Sequence, residues 1–209
     1  LWGSRAANGV IVITTKSGRS GRVKINYRRN MSFDQGHERI PMQTVWGQGR
    51  NGVYSPTSSE SWGDYIPDRS GGADVVDTGG QYFEAESGNR YYPIDQKNST
   101  QTFVDSNWDL AFQTGTFVDE NLSISGGNER GTYLLSYGRL RQDGIIRNSF
   151  LDRDNFRLNS EFTLSSWMSV KSKASYTGST NNRIEQSSNT AGLLLGLLRT
   201  PPDFDNTDY

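Results

Sequence analysis

The chain has 209 residues, with 22 lysines and arginines against 23 aspartates and glutamates, and no cysteine. The missing cysteine excludes a disulfide framework, a thiolate metal site and a cysteine nucleophile, and the balanced charge excludes the basic excess of a nucleic-acid binder. The mean hydropathy of −0.72 is polar and no apolar run approaches the ~18 residues of a spanning helix, but a transmembrane barrel escapes that test because only alternate strand residues face lipid.

In chain order, Leu1 to Asn8 sets the small residues Gly3, Ser4, Ala6 and Ala7 around one charge, Arg5. Asn8-Gly9 reads as a turn, since both residues tolerate positive φ. Val10, Ile11, Val12 and Ile13 follow without a polar break; such a β-branched run reads as a strand covered on both faces. Residues 18–21 read as a linker. From Arg22 to Phe33 the pattern alternates: Val23, Ile25, Tyr27, Met31 and Phe33 share one face, and Lys24, Asn26, Arg28, Asn30 and Ser32 the other. Arg29 falls among the apolar set. A lipid-facing arginine costs about 2–4 kcal/mol at the bilayer midplane, so a bulge, snorkelling or a covering partner is expected there.

Residues 34–116 lose the alternation and are rich in Gly, Ser, Asn, Asp and Pro with scattered aromatics. They read as one long, elaborated loop. Trp46, Trp62 and Tyr65 are its candidate ligand-contacting aromatics, with packing of the loop on itself the competing reading for each ring. Alternation returns at about 117–125, 132–141, 155–165 and 170–178. Gly126-Gly127-Asn128 and Asp143-Gly144 read as turns. Phe156, Leu158, Phe162 and Leu164 share one face, opposite Arg157, Asn159 and Glu161. Ser166-Trp167 is a short turn whose tryptophan suits an interfacial girdle. Residues 179–209 form a further loop. Within it Ala191 to Leu198 is too short to span a bilayer and reads as a helix capped by Asn189 or Thr190 and stopped by Pro201.

Two stretches resemble a known family. GSRAANGVIVITTKSG is similar to the end of the plug domain in SusC/RagA-type TonB-dependent outer-membrane transporters, with Trp2 where that family usually has tyrosine. VWGQGRNGVYSP, SWGDY and the block from Asn107 to Arg157 resemble its first extracellular region and first barrel hairpins. The resemblance implies an all-β fold: a transmembrane antiparallel barrel of about 22 strands with an N-terminal plug, of which this chain is a segment. Residues 1–17 would end the plug, with Gly3, Ser4, Arg5, Ala6, Ala7, Asn8 and Gly9 as its structural or gating motif. Residues 22–209 would open the barrel. The loops 34–116 and 179–209 would be extracellular and the short turns periplasmic, in the outer membrane of a Bacteroidetes-type bacterium.

The chain starts at Leu1, inside a motif and without a signal peptide, and so reads as a piece of a longer mature protein. The resemblance further implies import of an oligosaccharide or oligopeptide with a SusD-like lipoprotein, and TonB acting through an upstream segment. A scaffold or binding subunit of a larger outer-membrane assembly is the alternative. A soluble carbohydrate-binding sandwich is a third reading, opposed by the plug motif. No GxSxG, HExxH or phosphate loop occurs, so no enzyme activity and no cofactor are expected. The single histidine, His37, reads as a solvated loop residue, and Asp203, Asp205 and Asp208 as a solvated acidic loop rather than a calcium site.

Overall fold

A computed structural model describes residues 16–185 and 192–208. The described residues fall into two compact units: one of strands, residues 16–32, Phe117–Gln142 and Leu151–Thr180, and one of connections, within 33–116, Asp143–Phe150 and 181–208.

In chain order the elements are β1 (Gly21–Asp34), the short strands β2 (Gly49–Arg50), β3 (Val53–Tyr54), β4 (Val75–Val76), β5 (Phe83–Glu84), β6 (Arg90–Tyr91) and β7 (Ile94–Gln96), helix α1 (Val104–Ala111), the long strands β8 (Gly115–Asn128), β9 (Gly131–Asp143), β10 (Phe150–Ser165) and β11 (Met168–Asn182), and helix α2 (Leu193–Arg199). Five long strands make one sheet in the order β1-β8-β9-β10-β11. The two-residue turns after β8 and β10 make those neighbours antiparallel, and side-chain pairs fix the rest, Arg141 with Asp152 joining the Tyr137–Asp154 pair between β9 and β10. Tyr27 meets Glu120 and Gln35 meets Thr114, so β8 descends as β1 rises. Tyr137 meets Asp154, and Glu161 meets Lys171.

Each long strand runs further than its alternation suggests, 13 to 16 residues among the last four against the nine to eleven expected from the sequence. The expected turn at Gly126-Gly127-Asn128 is corrected. β8 continues through Asn128, and the turn is Glu129-Arg130, closed by the Asn128 side-chain oxygen accepting from the Arg130 and Gly131 N–H groups at 2.9 and 3.0 Å. An asparagine oxygen that mimics a turn carbonyl is strong punctuation. The Ser166-Trp167 turn joins β10 to β11, and Trp167 is 84% exposed.

The strand unit buries little. Val23, Ile25, Tyr27, Met31, Phe33, Leu122, Phe156, Phe162, Leu164, Val170 and Tyr176 are all exposed large hydrophobics. Period two places them on one face of the sheet. Two glycines shape that face. A Cβ on Gly131 would collide with the Phe162 ring, and one on Gly126 would press on the Tyr133 ring edge and the Val23 backbone. Aromatic rings thus lie over glycines on neighbouring strands, a cross-strand packing that needs no second layer.

The connecting unit is folded in its own right. β2 pairs with β3, β4 with β7 and β5 with β6, all antiparallel. α1 lies in a stretch that the sequence reads as loop, with no side-chain cap to announce it. α2 begins after Gly192, again without a side-chain cap bond, so capping by Asn189 or Thr190 is not what starts the described helix, and those two residues lie outside the described set. It ends before Pro201 and packs against α1, Leu197 and Pro201 lying beside Trp108 and Met42.

Candidate functional site

The second face of the sheet is where the chain arrives. The Lys16 carbonyl accepts a hydrogen bond from Asn159 Nδ2 at 2.6 Å, and Asn159 is 5% exposed. Gly18 lies flat on β9, where a Cβ would strike the Tyr133 backbone. The linker therefore runs along the face that carries Asn159. Arg157 and Glu161 share that face by alternation, and Lys171 reaches Glu161 at 3.0 Å from β11. Lys24, Asn26, Ser123 and Ser125 line a cleft beside the same linker. One face of the sheet is polar and carries the linker; the other is mainly apolar, and its large side chains are exposed among the described residues.

The fault in the apolar face is resolved by charge. Arg29 Nε lies 3.7 Å from Glu120 Oε1, and the Tyr27 hydroxyl donates to the same oxygen at 2.7 Å. β1 is an unbroken strand through this point, so an ion pair with the neighbouring strand, not a bulge, accommodates Arg29. A second group lies on β9 and β10: Arg141 pairs with Asp152 at 3.6 Å and Asp154 at 2.9 Å, and Tyr137 donates to Asp154 at 2.6 Å. The polar face has its own pair, Arg28 with Asp119 at 3.7 Å. Asp119 and Glu120, adjacent in sequence, serve opposite faces, as a period of two requires.

In the connecting unit the candidate aromatics separate. Trp46 and Tyr65 meet, ring centroids 5.2 Å apart and tilted by 58°, across an isolated antiparallel bridge. Trp62 lies on the same pair of segments, its backbone bonded to Gly49 and Gly52, with its ring 62% exposed. Other rings pair off or take cations: Trp108 stacks on Phe112 at 4.6 Å and lies under the Arg39 guanidinium, while Arg90 covers Tyr82. Such pairs are worth about 0.5–1.5 kcal/mol beyond their buried area.

The centre of this unit was not legible in the sequence. Arg69, with a side chain 2% exposed, forks onto Asp64 through Nε and Nη2 at 2.7 Å each, and Nη2 also reaches Asp203 at 2.7 Å. Nη1 donates to the Ser99 carbonyl at 2.9 Å. The other Asp203 oxygen accepts from the Gln48 N–H at 2.9 Å. The expectation of a solvated acidic loop is thus corrected at Asp203, whose side chain is 1% exposed. Gly47 makes room for the cluster, because a Cβ there would overlap the Arg69 guanidinium. Asp64 and Arg69 flank one tight turn, but Asp203 is 134 positions from Arg69, and no local pattern announces a contact of that span.

Charges here are pinned. Burial opposes the Arg69 charge, but the hydrogen bonds it donates to Asp64 and Asp203 outweigh that and hold the guanidinium above its ordinary value. Burial, reinforced by the Asp203 and Asp74 charges against the pull of Arg69, pushes the Tyr54 hydroxyl up to about 12. Burial alone would raise Asp74, but Lys97 at 2.9 Å and the Ser99 and Asn98 N–H groups bring it below the usual carboxylate value. Asp208 is lowered by hydrogen bonds from Ser87, Tyr91 and Asn89. The tail is sewn in further by the Asn107 amide, which donates to the Phe204 carbonyl at 2.7 Å, and by the Asn206 N–H donating to Asn107 Oδ1 at 2.8 Å.

Gly3, Ser4, Arg5, Ala6, Ala7, Asn8 and Gly9 lie outside the described residues. Among the described residues no group of acidic or histidine side chains is arranged to hold a metal ion, and no helix is long and apolar enough to cross a membrane, which says nothing about strands.

An antiparallel sheet of long strands, apolar on one face and polar on the other, with short turns at one end and long connections at the other, has the pattern that outer-membrane barrel strands share. Comparison with known proteins agrees. The chain is 27% identical over 159 residues to the TonB-dependent receptor SusC of Bacteroides thetaiotaomicron, covering 75% of this chain and 12% of that protein. It is 26% identical over 190 residues to the TonB-dependent receptor P39 of Formosa agariphila, covering 90% of this chain and 15% of that protein. In fold it is similar to the larger chain matched in the structure of the RagAB peptide importer in its closed-closed state, with a TM-score of 0.61 at 20% identity, over 98% of this chain and 23% of that one. No family model matches. The chain thus spans less than a quarter of the length of these proteins, and the sequence and fold likenesses bear out its resemblance to a SusC/RagA-type TonB-dependent receptor segment.

Proposed function

We propose that this chain is the opening wall of a TonB-dependent outer-membrane transporter that imports an oligomeric nutrient, a glycan or a peptide, together with a SusD-like surface lipoprotein. The observation that carries the reading is the two-faced sheet. Among the described residues its large apolar side chains stay exposed, and hydrocarbon is the solvent that fits them. Its polar face receives Lys16 and Gly18, the residues through which the plug end would enter the barrel. The polar face is then the lumen wall, the long connections are extracellular, and residues 1–17 close the plug.

In this reading the protein binds and passes cargo without chemistry on it. The connecting unit, held by Arg69, Asp64 and Asp203, is a preformed extracellular structure that presents Trp46, Tyr65 and Trp62. TonB acts on a segment upstream of Leu1. The experiment is deletion of the coding sequence, with purification of the tagged full-length protein from outer membranes. Loss of growth on one oligomeric nutrient and co-purification of a surface lipoprotein are expected. Retained uptake of every nutrient tested, with the lipoprotein still bound, would favour a scaffold instead.

A further inference from the structure

The polar wall is unevenly charged. Of its cations, Arg28 is matched by Asp119 and Lys171 by Glu161. Arg153 and Arg157 on β10 are exposed and make no ion pair among the described residues. Both line an open groove of about 310 Å³ with Arg28, Asn121, Ser136 and Asn155. The Asn155 oxygen is already taken, accepting from the Thr177 hydroxyl at 2.9 Å, so its amide N–H groups remain for a ligand. The linker does not neutralise this wall. Lys16 before it and Arg19 within it are cationic and line a cleft on the same sheet face.

Resting on the reading of this face as the lumen wall, we infer that the groove binds a carboxylate- or sulfate-bearing glycan, with Arg153 and Arg157 selecting for the negative charge. A guanidinium presents a planar fork that matches both anions. The two arginines are four residues apart on one strand, about 13 Å at ~3.3 Å per residue, so they grip different units of an oligomer. The rest of the lining is mainly amide and hydroxyl, from Asn121, Ser136, Asn155, Ser175 and Thr177, with Phe156 beside them and Asp119 taken by Arg28, a surface suited to sugar hydroxyls. The ligand's anions supply the charge that the wall lacks.

The test uses the full-length protein, purified in detergent with whatever subunits accompany it. The probes are oligogalacturonate against its methyl ester, and a sulfated hexasaccharide against its unsulfated parent, each titrated calorimetrically at low and high salt. The acidic form of at least one pair should bind about tenfold tighter at low salt, the preference shrinking as salt screens it. R153Q/R157Q should bring that ratio to about one, and R153K/R157K should retain most of it, which separates charge selection from misfolding. Equal affinity within both pairs, or an unchanged ratio in R153Q/R157Q, overturns the inference. Oligoglutamate binding as tightly as the acidic glycans overturns the glycan assignment. A water-soluble maleimide tests the underlying orientation separately. Labelling of Tyr176→Cys but not Ser175→Cys removes the lumen reading and the inference with it, whereas labelling of Ser175→Cys leaves the titration to decide the inference alone.

Discussion

Arg69 shows what a single residue holds together here. It is buried, forked onto Asp64 and tied to Asp203, so removing it leaves two carboxylates without their cation. Losing one partner of a buried ionic cluster costs about 3–5 kcal/mol. Arg69→Ala should therefore open the 45–66 and 201–206 segments to protease on intact cells while the barrel still assembles, and Arg69→Lys, lacking the fork, should rescue only part. Equal protease resistance in wild type and Arg69→Ala would contradict this role. Arg29 is a different case. Its partner Glu120 offsets a charge on the apolar face, and the cost of losing that partner lies between the ~1 kcal/mol of the interface and the ~2–4 kcal/mol of the midplane. Glu120→Ala should lower the urea midpoint of the reconstituted full-length protein, and Arg29→Ala/Glu120→Ala should restore it. A double variant no better than the single one would show that the pair is not the means by which Arg29 is tolerated.

Asp208 gives a pH dependence whose sign follows from its hydrogen bonds. Its folded value lies below the ordinary 3.8, so its contribution is present above that value and is lost as pH falls through the lower folded one. Asp74 has the same sign. The connecting unit should thus stay closed at neutral pH and loosen only below about pH 4, read by tryptophan fluorescence of full-length protein. Asp208→Asn should show at pH 7 part of the loosening that wild type shows only in acid. An identical pH profile in the two proteins would remove Asp208 from the account.

At the scale of elements, the long strands of the sheet were the legible part. Phe156, Leu158, Phe162 and Leu164 alternate with Arg157, Asn159 and Glu161, and a strict period of two can be read without knowing what lies on either side. The ends were less legible, because β8 and β10 extend through Gly, Asn and Asp residues that break the apolar alternation, Asp152 and Asp154 being held by Arg141 and Tyr137 on the neighbouring strand. α1 was hidden for the opposite reason. Its eight residues carry no side-chain cap, and its place is fixed by contacts with residues about a hundred positions away, Phe204 and Asn206. The linker offers an element-scale test. Gly18 fits against the Tyr133 backbone only because it has no Cβ, so Gly18→Val should lift the linker from the wall. In the full-length protein this should increase single-channel leak or sensitivity to a bulky antibiotic, with barrel assembly unchanged. Wild-type tightness would show that the linker's seat does not help to hold the plug.

At the scale of the whole molecule, the sequence and the structure converge through independent features. The plug motif pointed to the family from residues 1–17, and the two-faced sheet points to a membrane wall from residues 21–182. The ionic centre of the connecting unit was out of reach of the sequence, because Asp203 belongs to a different connection from Asp64 and Arg69 and only the fold brings them together. The aromatic candidates were half legible: composition marks Trp46, Trp62 and Tyr65 as unusual in a polar loop, but only the structure shows that Trp46 and Tyr65 spend their faces on each other while Trp62 stays open. Trp62 is the most exposed of the three rings.

The central claim is that the apolar face of the sheet meets lipid and the polar face meets water. Nitroxide labels on the full-length protein in liposomes test it most directly, at Phe162, Leu164 and Tyr176 for one face and at Lys173 and Ser175 for the other. Asn159 is unsuitable because the Lys16 carbonyl covers it. The account predicts relaxation by oxygen at the first three sites and by a water-soluble nickel chelate at the other two. Nickel accessibility at Phe162, Leu164 and Tyr176, with oxygen preferred at Lys173 and Ser175, would contradict it.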